Sequence, residues 1–211
     1  MSEWIPHIFT PIKILVLLTF ILGLLYLNKQ NTRHKVLLCV LFVSVVTEMG
    51  GAILTNLSLL YSIAFIVHNT LWLSMLFLFK NTRFLKKIII AYVVFCVFYF
   101  LYKEVDTPLN TDNFIIGAFI YLFTFLTLSF KELKAENIVF FQSNRYLLLC
   151  SPLIFFFGYS IMFGFGDHVL TGEVLFRDTL LYDFVSYLSN IIYYLLILLY
   201  IYTEKRKDDK L

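Results

Sequence analysis

Charge is what this chain has least of. Asp, Glu, Lys and Arg make up only 15% of its 211 residues, against about 25% in an ordinary soluble domain. Hydrophobic residues reach 60% and aromatics 19%, which removes the chain from the soluble globular class. Cysteine is scarce as well: Cys39, Cys96 and Cys150 all lie in apolar stretches, so a disulfide framework is excluded and packing is their expected role. Of four histidines only His68 lies inside an apolar stretch, with His7, His34 and His168 in ends and loops. Zinc hydrolysis, which needs three or four converging ligands, is therefore excluded, and no metal or cofactor is expected. The last apolar stretch, Leu180 to Tyr202, has no lysine for a retinal Schiff base. A Gly-x-Ser-x-Gly elbow and the Pro-Gln pairs of small sugar transporters are absent too.

Long apolar runs are what the chain does have. Seven are predicted to span a bilayer as helices, at about 12–27, 36–55, 59–79, 86–102, 114–130, 147–166 and 180–202, each near the ~20 residues that cross a ~30 Å hydrocarbon core. The expected architecture is an all-α polytopic bundle, one domain over residues 1–211, with nothing of domain size outside the bilayer.

Basic residues divide unevenly between the two sides. Lys29, Arg33 and Lys35; Lys80, Arg83, Lys86 and Lys87; Lys131, Lys134 and Arg145; and Lys205, Arg206, Lys207 and Lys210 fall on one side, and only Lys13, Lys103 and Arg177 on the other. Positive charge stays cytoplasmic, so the N-terminus is expected outside and the C-terminus on the cytoplasmic side. The first span has no basic residue before it and three after it, the reverse of a cleavable signal peptide. The net charge of +3 comes from these loops and indicates no nucleic-acid partner.

Connections are short. About three residues, Asn56 to Ser58, separate spans 2 and 3, so those helices must be antiparallel neighbours. The longest links, Glu132–Asn144 and Asp167–Thr179, read as loops, the second a candidate cap, and the charged end from Glu204 to Leu211 reads as a stop-transfer anchor.

Function then falls to the polar residues inside the spans, because an ionisable group there normally faces the bundle interior and marks a site or a pathway. Glu48 lies roughly 10 Å below the outer end of span 2, and Ser44, Glu48, Gly51 and Thr55 share a helical face. His68 and Asn69 sit roughly 14 Å deep on span 3, where an imidazole–carboxylate contact with Glu48 is within reach. Span 7 brings Asp183, Tyr187, Asn190 and Tyr194 as one stripe, while Tyr121 and Thr124 lie mid-span 5 and Tyr159 and Ser160 mid-span 6. The candidate ligand or ion pocket is Glu48, His68, Asn69, Tyr121, Tyr159 and Asn190. Interhelical hydrogen bonding is the competing role, at about 0.6 kcal/mol per contact.

Other features read as packing. Gly50-Gly51 and the Thr47, Gly51, Thr55 series allow close helix approach. Pro152 frees the carbonyl of Leu148 and should kink span 6. Trp4, Tyr99, Tyr102 and Tyr182 outside, with Tyr26, Tyr200 and Tyr202 inside, read as interfacial belts.

The layout, together with Glu48-Met-Gly-Gly, Tyr61-Ser-Ile-Ala-Phe, Tyr121-Leu-Phe and Asn190-Ile-Ile-Tyr-Tyr, resembles small seven-span membrane proteins of flavobacteria and their relatives. That resemblance implies a membrane module without its own output domain, working beside signalling or defence genes, RNA-targeting CRISPR systems among them. Three functions stay open at this point. One is a non-enzymatic sensory or accessory module whose basic loops contact a cytoplasmic protein. The others are a small transporter or channel using Glu48, and an intramembrane lipid-modifying enzyme using Glu48 and His68 as acid and base.

Overall fold

A computed structural model describes residues 10–51, 57–80, 82–102, 111–165, 172–176 and 179–208. The chain is an all-α, membrane-embedded bundle. Its helices are α1 (Pro11–Tyr26), α2 (Thr32–Gly50), α3 (Leu57–Phe79), α4 (Arg83–Tyr102), α5 (Thr111–Lys134), α6 (Ile138–Phe141), α7 (Asn144–Gly164) and α8 (Leu181–Asp208). Five of them, α3, α4, α5, α7 and α8, are long and apolar enough to cross a membrane. α1 has 16 residues, and α2 has 19 but carries Arg33, Lys35 and Glu48 within it. The expected second span ends at residue 55, and 52–56 lie outside the described residues, as does Trp4.

Local sequence explains the helix starts. Asn31 accepts from the amide of Arg33, Thr82 from that of Leu85 and Ser143 from that of Tyr146, so α2, α4 and α7 each begin on a side-chain cap. Pro11 occupies the first turn of α1, where its missing N–H is not needed. α5 ends with Glu136 at φ 53°, and the amides of Glu136 and Asn137 return to the carbonyls of Leu133 and Glu132. The link expected to be a plain loop thus holds the end of α5 and the short α6. The other long link contains a small antiparallel hairpin, Val174–Phe176 with Thr179–Leu180, leading straight into α8.

Six helices close a ring in the order α1, α2, α3, α5, α7, α8 and back to α1. α4 stands outside the ring against α3, with only 17% of its apolar stretch buried, against 39–44% in the other four long apolar helices. Its outward side chains, Phe98 and Leu101 among them, are 71% and 77% exposed and suit lipid contact. Leu37, Leu41, Trp72, Leu76, Tyr121, Leu148 and Ile197 make the interior, fully buried between the ring helices.

The basic loops meet at one end of the bundle. There the Lys80 ammonium donates to Glu132 Oε1 at 2.8 Å, Arg33 lies 4.5 Å over the Phe79 ring, and Lys205 lies 4.1 Å over Tyr26. His34 is buried at this end rather than loose in a loop. Its Nδ1 bonds the carbonyl of Asn28, its Nε2 the hydroxyl of Tyr200, and Glu204, which accepts from Asn144, lies 3.6 Å away. Tyr200 is therefore an interior partner and not a belt residue, whereas Tyr202 is exposed as a belt requires.

Pro152 lies inside a continuous α7. The carbonyl of Leu148 that it frees accepts the hydroxyl of Ser151 at 2.8 Å, and the next carbonyl, Leu149, accepts the phenol of Tyr121 at 2.8 Å. Buried carbonyls in an apolar bundle need such replacements. Ser151→Ala should lower unfolding stability by about 1 kcal/mol, whereas Ser151→Thr, which keeps the donor, should lose less; equal losses would show that Leu148 does not depend on that hydroxyl.

Candidate functional site

At the end opposite the basic loops, α2, α3, α7 and α8 part around a cavity of about 300 Å³. The pattern on each helix explains its contribution. Thr47 and Glu48 stand one turn beyond Ser44 on α2; Tyr61, Ala64, Phe65 and His68 follow at three- and four-residue steps on α3. α7 adds Phe155, Tyr159 and Phe163, and α8 adds Tyr182, Asn190 and Tyr194. Gly51 admits the Tyr61 phenol, whose oxygen would lie 2.7 Å from a Cβ at that position.

Most of the lining polar groups are already engaged. Ser44 and Thr47 donate to the carbonyls of Val40 and Val43, one turn back on their own helix, at 3.1 and 2.7 Å. Asn190 donates to Tyr159 Oη at 2.7 Å and to the carbonyl of Ser186 at 3.0 Å, and Tyr159 shares a 2.7 Å hydrogen bond with the Ser186 hydroxyl. Glu48 is different. It is half-buried, lines the cavity and makes no hydrogen bond to a described residue. Its charge is felt by Lys13 at the start of α1 and by the phenols of Tyr61, Tyr159 and Tyr194.

The floor of the cavity is a closed aromatic layer. Trp72 Nε1 donates to Tyr193 Oη at 3.1 Å, and Tyr193 Oη lies 3.1 Å from His68 Nε2. One phenolic oxygen accepting the indole N–H has its own proton to place, and His68 Nε2 is the acceptor beside it. That assignment makes His68 a neutral imidazole carrying its proton on Nδ1. Phe156 and Tyr121 complete the layer, with ring centroids 5.8 Å from His68 and 6.1 Å from Trp72 respectively.

Four of the six expected site residues, Glu48, His68, Tyr159 and Asn190, come together at this cavity. The expected Glu48–His68 pair does not form among the described contacts, and the imidazole Nε2 pairs with Tyr193 instead. Asn69 and Tyr121 lie elsewhere. Asn69 is fully buried on the far side of α3, where Nδ2 donates to Tyr92 Oη at 3.1 Å and to the carbonyl of Phe114 at 3.1 Å. Tyr121 is consumed by the Leu149 carbonyl. Each joins a neighbouring helix through a backbone oxygen. On α8 the expected stripe is only partly realised: Tyr187 is 43% exposed, and Ser186 supplies the polar contact instead. Tyr182, expected in a belt, lines the cavity.

Trp72, Tyr193, Ser186 and Tyr61 are participants that were not among the expected pocket residues. Trp72 stands four residues after His68 and Tyr193 three after Asn190, so helical spacing was the available signal. In a chain with 24 Phe and 14 Tyr that signal is repeated everywhere. Among the described residues no three of His, Cys, Asp and Glu converge as a metal site. Comparison with protein-family models, curated proteins and solved structures finds no match, so the cavity stands on its own geometry.

Proposed function

We propose that the chain is a seven-span, non-enzymatic sensory or accessory module of a bacterial inner membrane, N-terminus out and C-terminus in. It holds a small ligand in the Glu48 cavity and works through a cytoplasmic protein at its basic end. The observation that carries this reading is the pairing of an open polar cavity with a sealed floor. A path for transport would have to pass the Trp72, Tyr193, His68 and Phe156 layer, whose members are at most 7% exposed. An acid–base pair for lipid chemistry would need His68 free for Glu48, and its Nε2 is held by Tyr193. α8 supports a coupling role, since it reaches from Tyr182 at the cavity to Glu204 at the basic end. The resemblance to small flavobacterial membrane proteins supports a partner encoded nearby, with signalling and defence systems as the classes to examine.

Topology and cavity are tested together. Reporters fused after Leu211 and at Asn110 should report cytoplasm and periplasm respectively, and the reverse would overturn the orientation. In a background with Cys39, Cys96 and Cys150 replaced by Ala, Thr47→Cys should react with a membrane-impermeant maleimide added outside, and Leu41→Cys, below the floor, should react from neither side. Labelling of Leu41→Cys from the cytoplasm would replace the module with a transporter.

A further inference from the structure

The cavity's chemistry narrows its occupant. Half of the fourteen lining residues are Phe or Tyr. Five of those rings form an unbroken wall across α3 and α7: Tyr61 to Phe65 at 6.3 Å, Phe65 to Phe163 at 5.6 Å, Phe163 to Tyr159 at 5.6 Å and Tyr159 to Phe155 at 4.8 Å between centroids. The face of each ring carries the negative part of its quadrupole, which attracts a cation within about 6 Å. Glu48 adds a carboxylate to the same space, and no Lys or Arg is among the described lining residues. Lys13 acts on Glu48 from α1 without lining the cavity, and it has a further interaction of its own.

Other ligand chemistries fit less well. An anion would meet Glu48, with no Lys or Arg among the described lining residues to offset it. A sugar or other polyol would need many free donors and acceptors, whereas Ser44, Thr47, Tyr159 and Asn190 are engaged with protein groups. At about 300 Å³ the space lies at the small end of ligand pockets, which run from about 300 to 1,000 Å³.

We infer that the cavity is a receptor site for a small organic cation, an ammonium or quaternary ammonium compound, with Glu48 as counter-ion and the Tyr61, Phe65 and Tyr159 rings as the cage. The inference rests on the ligand-pocket reading above and adds the class of ligand. A cation of this kind neutralises the carboxylate without demanding many hydrogen bonds, which matches what the lining has left to offer.

Purified full-length protein in maltoside, followed by thermal unfolding, tests it with two matched pairs of probes. Choline is set against its neutral isostere 3,3-dimethylbutan-1-ol, and phenethylammonium against 2-phenylethanol. At least one cation should raise Tm saturably while its neutral counterpart does not. Glu48→Gln, which keeps the shape, should weaken that cation at least tenfold, and Tyr61→Leu should weaken it several-fold with Glu48 intact. Neutral probes that bind as well as the cations, in wild type and Glu48→Gln alike, would sink the cation assignment and leave the pocket standing. Failure of all four probes would overturn the cation site, and if the Thr47→Cys label also fails, the pocket reading falls with it.

Discussion

A single methyl group added at Gly117 is expected to cost the bundle about 2–4 kcal/mol, combining overpacking with lost buried hydrogen bonds. A Cβ built there would lie 2.3 Å from Asn69 Nδ2, 2.5 Å from Tyr92 Oη and 2.7 Å from Tyr92 Cζ. These atoms cannot move aside without breaking the knot that joins α3, α4 and α5, where Tyr92 also donates to the carbonyl of Asn113 at 3.0 Å. α4 would suffer most, because it stands outside the ring and few other contacts hold it. Gly164→Ala is the control, since no described residue lies within 4 Å of a Cβ at that position. Denaturant titration in micelles should show Gly117→Ala far less stable than Gly164→Ala. Equal stability would mean that the knot is loose enough to absorb a methyl group.

Tyr193→Phe should be nearly as damaging, although it removes one oxygen atom and leaves the packing intact. The Trp72 indole N–H and His68 Nε2 would both lose their partner inside a layer that excludes water. Leaving a buried donor or acceptor unsatisfied costs about 1–3 kcal/mol each, and with both groups near the lower end of that range a loss of about 2–3 kcal/mol is expected. An average interhelical hydrogen bond in a membrane is worth only about 0.6 kcal/mol. The two figures separate a dry floor from a wet one. If Tyr193→Phe lowers stability by no more than the smaller value, water reaches the layer and the sealed-pocket reading weakens. His68→Leu combined with Tyr193→Phe should cost less than the two single changes added together, because the pair shares one hydrogen bond.

The membrane-embedded, all-α character of the chain was legible in its composition and in its long apolar runs. Those runs are imposed by the hydrocarbon, which requires each spanning segment to satisfy its own backbone. The basic clusters were legible for the same kind of reason, and in the structure the contacts of Lys80, Arg33 and Lys205 bring them to one end. Glu48 stood out because an acid among apolar residues is rare wherever it points. Asn69 and Tyr121 looked equivalent to His68 and Tyr159 as sequence, and in the structure they are not among the described lining residues of the cavity. Helical periodicity shows which residues share a face, but every helix in this ring has more than one neighbour, and the lipid-facing side is as apolar as the core.

The sequence by itself determined that the protein lives in a bilayer as helices, where its positive charge collects, and that Glu48 is the most anomalous residue within its apolar stretches. Only the tertiary structure decided that α4 lies outside the ring, that Tyr193 rather than Glu48 is the partner of His68, and that Tyr61 and Tyr182 belong to the cavity. Hydropathy and charge act residue by residue against the solvent, so they can be read along the chain. The choice of partner depends on which helix faces are pressed together, and in lipid that choice rests on shape and a few hydrogen bonds instead of a polar–apolar contrast.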